Sequence, residues 1–241
     1  MTKNASQAWT SLLALAGQLQ DSFDSEVETW LESYQHQGGS IYCTKGCASC
    51  CNLAVVTTLP EAARIAPQLT AEQTSALQTY IERLQLLLPQ AGDLKGYLRL
   101  HRQQLGPCPF LTSDGACGVY SWRPLACRAL LSTRNSDWCA VDFAELHPLE
   151  KEAFMSSLDR QVVAFPTHYA AAPQELATER EGELNHAMQD TFGWRVNGNL
   201  PLLVWLEARH QFSSQWAENR QAALALLQDQ QLDLRFVLQL D

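Results

Sequence analysis

Between residues 5 and 36, apolar side chains recur every three or four positions: Leu12, Leu13, Leu15, Leu19, Phe23, Val27, Trp30, Leu31 and Tyr34, with polar residues between them. That period predicts one long amphipathic helix, which Gly38-Gly39 ends. Residues 53–59 are short and β-branched and read as a strand or an extended leg. Pro60 then suits the first turn of a helix over 61–68. Thr70-Ala71-Glu72-Gln73 matches a capping box, and Ala76, Leu77, Tyr80, Ile81, Leu84, Leu87 and Leu88 form the stripe behind it. A helix over about 93–105 follows, with Leu94, Tyr97, Leu98 and Leu105 apolar. Residues 106–140 carry no period and read as irregular. Further helices are expected over 148–162, 175–192, 201–210 and 214–228, and residues 232–240 alternate weakly, as a strand does.

The predicted fold class is therefore mainly α, a helical frame with irregular cysteine-rich loops set into it. With 241 residues and 46% apolar content the chain can bury a core without staples. It reads as a single domain, 1–241, with a cysteine-bearing region at about 40–140 and a helical part at about 141–241. The only candidate boundary, around 170–175, is weak. The longest apolar stretch, 200–206, is far short of the roughly 20 residues a bilayer requires. A net charge of −9, with lysines only at 3, 45, 95 and 151, argues against nucleic acid as a partner. The amphipathic start lacks the form of a secretory signal, which points to a cytoplasmic protein.

All eight cysteines lie between Cys43 and Cys139. A secreted scaffold spreads cysteines along a chain without a core, whereas a thiol cluster in a long chain suits metal. The first segment holds Cys43, Cys47, Cys50 and Cys51. Its gaps of two or three residues let a turn of backbone wrap a metal. A helical segment would put Cys43, Cys47 and Cys50 on one face, and Gly46 permits a left-handed turn instead. The adjacent Cys50 and Cys51 are expected to diverge. The second segment holds Cys108, Cys117 and Cys127, with Cys139 beyond. Ser113-Asp114-Gly115 is a turn signal that would let Cys108 and Cys117 face each other. Arg123 and Arg128 flank Cys127 and are candidates to stand behind the ligands, offsetting thiolate charge. Pairing with surface carboxylates is an equal alternative for Arg128 and the slightly favoured one for Arg123. Tyr120 and Trp122 read as core. His36 and His101 lie near the cysteines, but each is better explained as a surface or helix-end residue. His147, His168, His186 and His210 have no partner at ligand spacing, and the run 179–183 reads as a solvated helix face.

Tyr42-x-Cys43-x3-Cys47-x2-Cys50-Cys51, followed by Cys108-Pro-Phe-Leu and Cys117-x2-Tyr120-x2-Arg123-Pro124-x2-Cys127-Arg128, resembles the YkgJ-type cysteine-cluster family of zinc- or iron-chelating domains. The resemblance covers about 40–140 and implies metal binding. Flagellin lysine N-methylase is similar over such a motif, which admits a methyltransferase setting, although no glycine-rich cofactor fingerprint accompanies it. Cys43-x3-Cys47-x2-Cys50 also has the spacing of the radical S-adenosylmethionine signature. Against that stand Ser49, where an aromatic is usual, and the lack of alternating strands and helices.

The expected cofactor is an iron–sulfur cluster, with zinc as the alternative, since both take four thiolates per centre. Metal or cluster is thus the expected partner. The expected roles are electron transfer or metal handling, with a cluster-assisted modification enzyme and a zinc-stapled interaction module as the alternatives.

Overall fold

The computed structural model describes residues 3–44, 46–230 and 235–241. Helix α1 (Lys3–His36) realises the first apolar period. It ends as the glycine pair requires: Gly38, at φ +87°, donates to Gln35 O, and Gly39 donates to Tyr34 O. These two bonds are a Schellman cap. Strand β1 (Val56–Thr58) runs directly into α2 (Leu59–Ile65), with Pro60 in its first turn. A 3-10 turn, Ala66–Gln68, completes the helical stretch expected there. Both arms of the capping box, Thr70 and Gln73, are formed at the start of α3 (Ala71–Leu87). Its stripe is buried at Leu77, Tyr80, Ile81, Leu84 and Leu88.

Helix α4 (Leu94–Leu100) passes into a π-helical turn, His101–Leu105. The cysteine loops that follow contain the one-turn helices α5 (Leu125–Arg128) and α6 (Asp137–Ala140). Helix α7 (Pro148–Ser157) stops short of 162, where Leu158 turns extended. Helix α8 (Ala171–Phe192) begins four residues before its expected start. Strand β2 (Val196–Asn199) leads into α9 (Leu200–His210). The single helix expected over 214–228 is two, α10 (Phe212–Glu218) and α11 (Arg220–Asp229). Asn219 breaks it at φ −154°, its side chain accepting from Gln221 N and Ala222 N. A cap that satisfies orphan amides competes with helix continuation at such residues. Strand β3 (Leu238–Leu240) is what the weak alternation produces, and 232–234 lie outside the described residues.

The three strands form one antiparallel sheet in the order β1-β2-β3, with Val56 opposite Asn199 and Val196 opposite Leu240. The main core surrounds α9, whose residues 200–206 are all buried, as a helix apolar on every side must be. It packs on α2 and α3. A second core joins Phe23 and Val27 of α1, Leu125 and Ala129 beside Cys127, and Leu184 of α8. The fold is thus mainly α, as expected, with the cysteine loops resting on these two cores.

Candidate metal centre

The first cysteine segment is held at both ends by backbone. Tyr42 N donates to Ser132 O at 2.9 Å. Ser132 N donates to Cys43 Sγ at 3.2 Å, and that thiol lies 3.4 Å from Leu130 O. Of the two conformations open to the segment, the left-handed one is realised: Gly46 has φ +88°, and Cys47 N closes a turn on Thr44 O. Only Ser49–Asn52 winds into a 3-10 turn. Cys50 and Cys51 do not diverge. Their thiols hydrogen-bond, which is the first cause of the raised pKa of Cys50, with burial second.

The second segment begins where the first ends, since Cys108 N donates to Cys51 O at 2.9 Å. Thr112 N to Ala116 O and Gly118 N to Phe110 O, both 2.8 Å, build the hairpin that the turn signal predicts, with Gly115 at φ +79°. Phe110 anchors it, fully buried. A 3-10 turn, Tyr120–Trp122, and Pro124 then set the entry into α5, which carries Cys127.

Seven thiols, those of Cys43, Cys47, Cys50, Cys51, Cys108, Cys117 and Cys127, line one cavity of about 360 Å³. The two sequence segments therefore meet. The sulfurs ring a space rather than close on a point, and among the described residues no three ligating side chains gather tightly around one ion position. Cys139 is absent from that lining and is buried behind it, on α6, which packs against the Ser49–Asn52 turn. Burial pushes the thiols of Cys43, Cys117 and Cys127 up, and that of Cys108 up to about 12. Burial also raises Cys139, against hydrogen bonds from Tyr169 and Ser132. Such thiols stay protonated unless a cation displaces the proton.

The two arginines separate. Arg128 donates from Nε to Arg123 O and from a terminal nitrogen to Ser121 O, both at 2.7 Å, and pairs with Asp24. Its donors are committed to oxygen, which decides between the two readings in favour of the carboxylate pair. Arg123 instead lies 3.8 Å over the ring of Tyr120, and its charge lowers the pKa of Cys50, Cys117 and Cys127. Its Nε is buried with no hydrogen-bond partner among the described residues. Tyr120 is thus half exposed under a guanidinium rather than core. Trp122 packs against the main core, as expected.

His36 is exposed at the end of α1. His101, in contrast, is buried, with Tyr80 OH 2.9 Å from Nε2 and Asn52 O 3.3 Å from Nδ1. Both ring nitrogens are engaged, so His101, at the end of α4 as one of the two expectations has it, is buried rather than on the surface and braces the cavity wall through Tyr80. Three residues carry weight that the sequence does not signal. His168 Nε2 stands 3.3 Å from Cys139 Sγ. Glu61 is fully buried beneath α5 and accepts from Leu125 N at 2.8 Å. Glu181 lies in the acidic run read as solvated, yet burial and the charge of Glu61 raise its pKa to about 8. The helical period of residues 176–188 places Glu181 next to the buried Leu184 face, which is the one hint available.

Residues 42–150 match the family model CxxCxxCC, described as "Putative zinc- or iron-chelating domain". This stretch is similar to a cysteine domain of the metal-chelating kind. The match spans all eight cysteines and bears out the resemblance carried by the two motifs. No curated protein and no solved structure matches the chain. Among the described residues no helix is long and apolar enough to cross a membrane.

Proposed function

We propose that the chain holds an iron–sulfur cluster through its clustered cysteines and acts in electron transfer or metal handling in the cytoplasm. The observation that carries this is the single cavity lined by seven thiols from two distant segments, at about 360 Å³. A space that holds one water needs only roughly 10–15 Å³ on such a measure, so there is room for several metal and sulfide atoms. Structural zinc sites close tetrahedrally around one ion, which suits the cavity less well. The donor set fits a cluster: Cys43, Cys47, Cys50, Cys51, Cys108, Cys117, Cys127 and Cys139 are all free thiols, and a cluster takes four. The unpartnered Nε of Arg123 is a donor suited to a thiolate or sulfide, and hydrogen bonds to sulfur tune cluster potential. A cluster bound there would supply one-electron chemistry. This chain's residues would hold it, bury it and offset its charge.

A second reading has an observation of its own. The cavity wall includes Leu31, Ile41, Leu53, Val55, Leu200 and Pro201, an apolar surface of the kind that accepts an organic ligand beside a metal. This favours a cluster-assisted modification enzyme, and tight S-adenosylmethionine binding by calorimetry would raise it above electron transfer. The antiparallel three-stranded sheet offers no parallel barrel for the radical version of that chemistry.

The experiment is purification without oxygen followed by elemental analysis. Brown protein with iron and acid-labile sulfide, its broad visible absorption bleached by dithionite, is the expected result. Cys47→Ser and Cys127→Ser should each lose metal outright. Colourless protein with stoichiometric zinc replaces the cluster with a stapled module, and full metal retention in both variants removes the site.

A further inference from the structure

The thiol cavity has an exposed rim and an apolar floor. Gln35, Thr44, Gly46 and Tyr120 are exposed at its edge, whereas Phe110, Val119, Leu200 and Pro201 are buried in its wall. The wall draws on both cores, with Val55 and Leu200 from the main one and Leu31 and Leu131 from the second. At about 360 Å³ the space falls within the range of small-molecule sites, roughly 300–1,000 Å³. A thiolate-held centre leaves the aliphatic part of that space unfilled, because its ligands are sulfurs and the aliphatic side chains coordinate nothing.

Charge in this space has one sign apart from the sulfurs. The chain holds 26 acidic residues against 17 lysines and arginines. Yet among the described residues no aspartate or glutamate lines the cavity, while Arg123 and Arg128 do. Arg128 has its donors on Arg123 O, Ser121 O and Asp24. Arg123 has no such commitment: among the described residues no carboxylate pairs with it, and its buried Nε has no partner. The Tyr120 ring, 3.8 Å away, covers one face of the guanidinium. What remains is its edge, a planar fork of N–H donors that matches the two oxygens of a carboxylate. With five such donors, Nε can serve a sulfur while the terminal nitrogens take the carboxylate.

We propose that the cavity binds an organic carboxylate with an apolar tail, its carboxylate on the Arg123 fork and its tail along the wall that includes Leu31, Val55 and Leu200. For what lies beside the ligand, the proposal rests on the reading that the thiols hold metal. It names the class of molecule that shares their cavity. The carboxylate supplies the partner that a buried guanidinium donor otherwise lacks, and the tail removes the aliphatic wall from water.

The test titrates the full chain, purified without oxygen, with hexanoate and with its neutral counterpart hexanamide, read by ligand-observed NMR. Metal content is measured on the same samples. Wild type should bind hexanoate about tenfold or more tighter than hexanamide, as a charge-assisted hydrogen bond to a shielded guanidinium implies. Arg123→Leu should lose that preference, and Arg123→Lys, which keeps the charge without the fork, should regain part of it. Leu31→Trp fills the wall and carries no ligating atom, so it should weaken both probes about tenfold with metal content unchanged. Equal binding of the two probes by wild type, no binding of hexanoate, or full preference in Arg123→Leu overturns the proposal. The wild-type comparison and Leu31→Trp decide the matter if Arg123→Leu does not fold. A metal-free wild type that still prefers hexanoate overturns the metal reading and upholds the anion site. A metal-loaded wild type indifferent to hexanoate does the reverse.

Discussion

Glu61 has no solvent exposure, yet its carboxylate accepts hydrogen bonds from five donors: Gln20 Nε2, Thr57 Oγ1, Thr58 N, Thr58 Oγ1 and Leu125 N. Buried charge is tolerable only with such satisfaction. Glu181, its neighbour, has the opposite lot. It accepts from the Ala126 amide, but its Oε1 is buried without a partner among the described residues. Burial first, and the Glu61 charge second, raise its pKa from 4.5 to about 8. The sign follows from proton counting. Between those two values the folded chain keeps a proton that the unfolded chain has lost, so stability falls as pH rises, by at most about 1.4 kcal/mol per pH unit. Above about 8 the loss is complete and this group adds no further slope. Glu181→Gln is expected to flatten that slope and to be the more stable protein at pH 8. Urea unfolding of both chains at pH 5, 6.5 and 8 measures it, and an undiminished slope in the variant would refute the assignment.

At the scale of elements, α5 is the instructive one. Four residues cannot sustain a helix alone. Its first amides are taken by Glu61 and Glu181, and Leu125 and Ala129 bury between α1 and α8. Cys127 is placed by these contacts and not by local propensity. Removing the acceptor strands several buried donors, each worth on the order of 1–3 kcal/mol. Glu61→Ala should therefore cost ~3 kcal/mol or more in chemical denaturation. It should also weaken metal retention, read as faster loss to a chelator, and unchanged chelator kinetics would show that α5 is positioned some other way. The longer elements were legible because their signals are local. Leu77, Tyr80, Ile81, Leu84 and Leu88 share a face by period alone, and Thr70 reaches Gln73 within one turn. The break at Asn219 was not legible, because helix continuation and capping there differ by little and packing of α10 against α9 decides.

For the whole molecule, the cysteine-bearing stretch does not contain its own core. β1 pairs with β2, and α2 packs on α9, both from the C-terminal part. Gly198, where an added Cβ would stand 2.7 Å from Val237 O, locks β2 against β3. A fragment of residues 40–150 would expose the surfaces these partners cover. It should show no cooperative thermal transition, whereas the full chain should. A sharp melt of the fragment would mean that the cysteine loops fold independently.

The sequence by itself determined the helical frame, the caps at Gly38-Gly39 and Thr70, and the thiol chemistry of two motifs. These depend on residues within about four positions of one another, or on side-chain type alone. Only the tertiary structure decided which groups meet: Cys43 with Leu130 across 87 residues, Glu61 with Leu125 across 64, and Cys139 with His168 across 29. No periodicity encodes such meetings. They arise when buried faces of α1, α2, α8 and α9 pack and carry the loops between them into register, because burial of apolar surface is non-directional and does not itself specify which polar groups end up together.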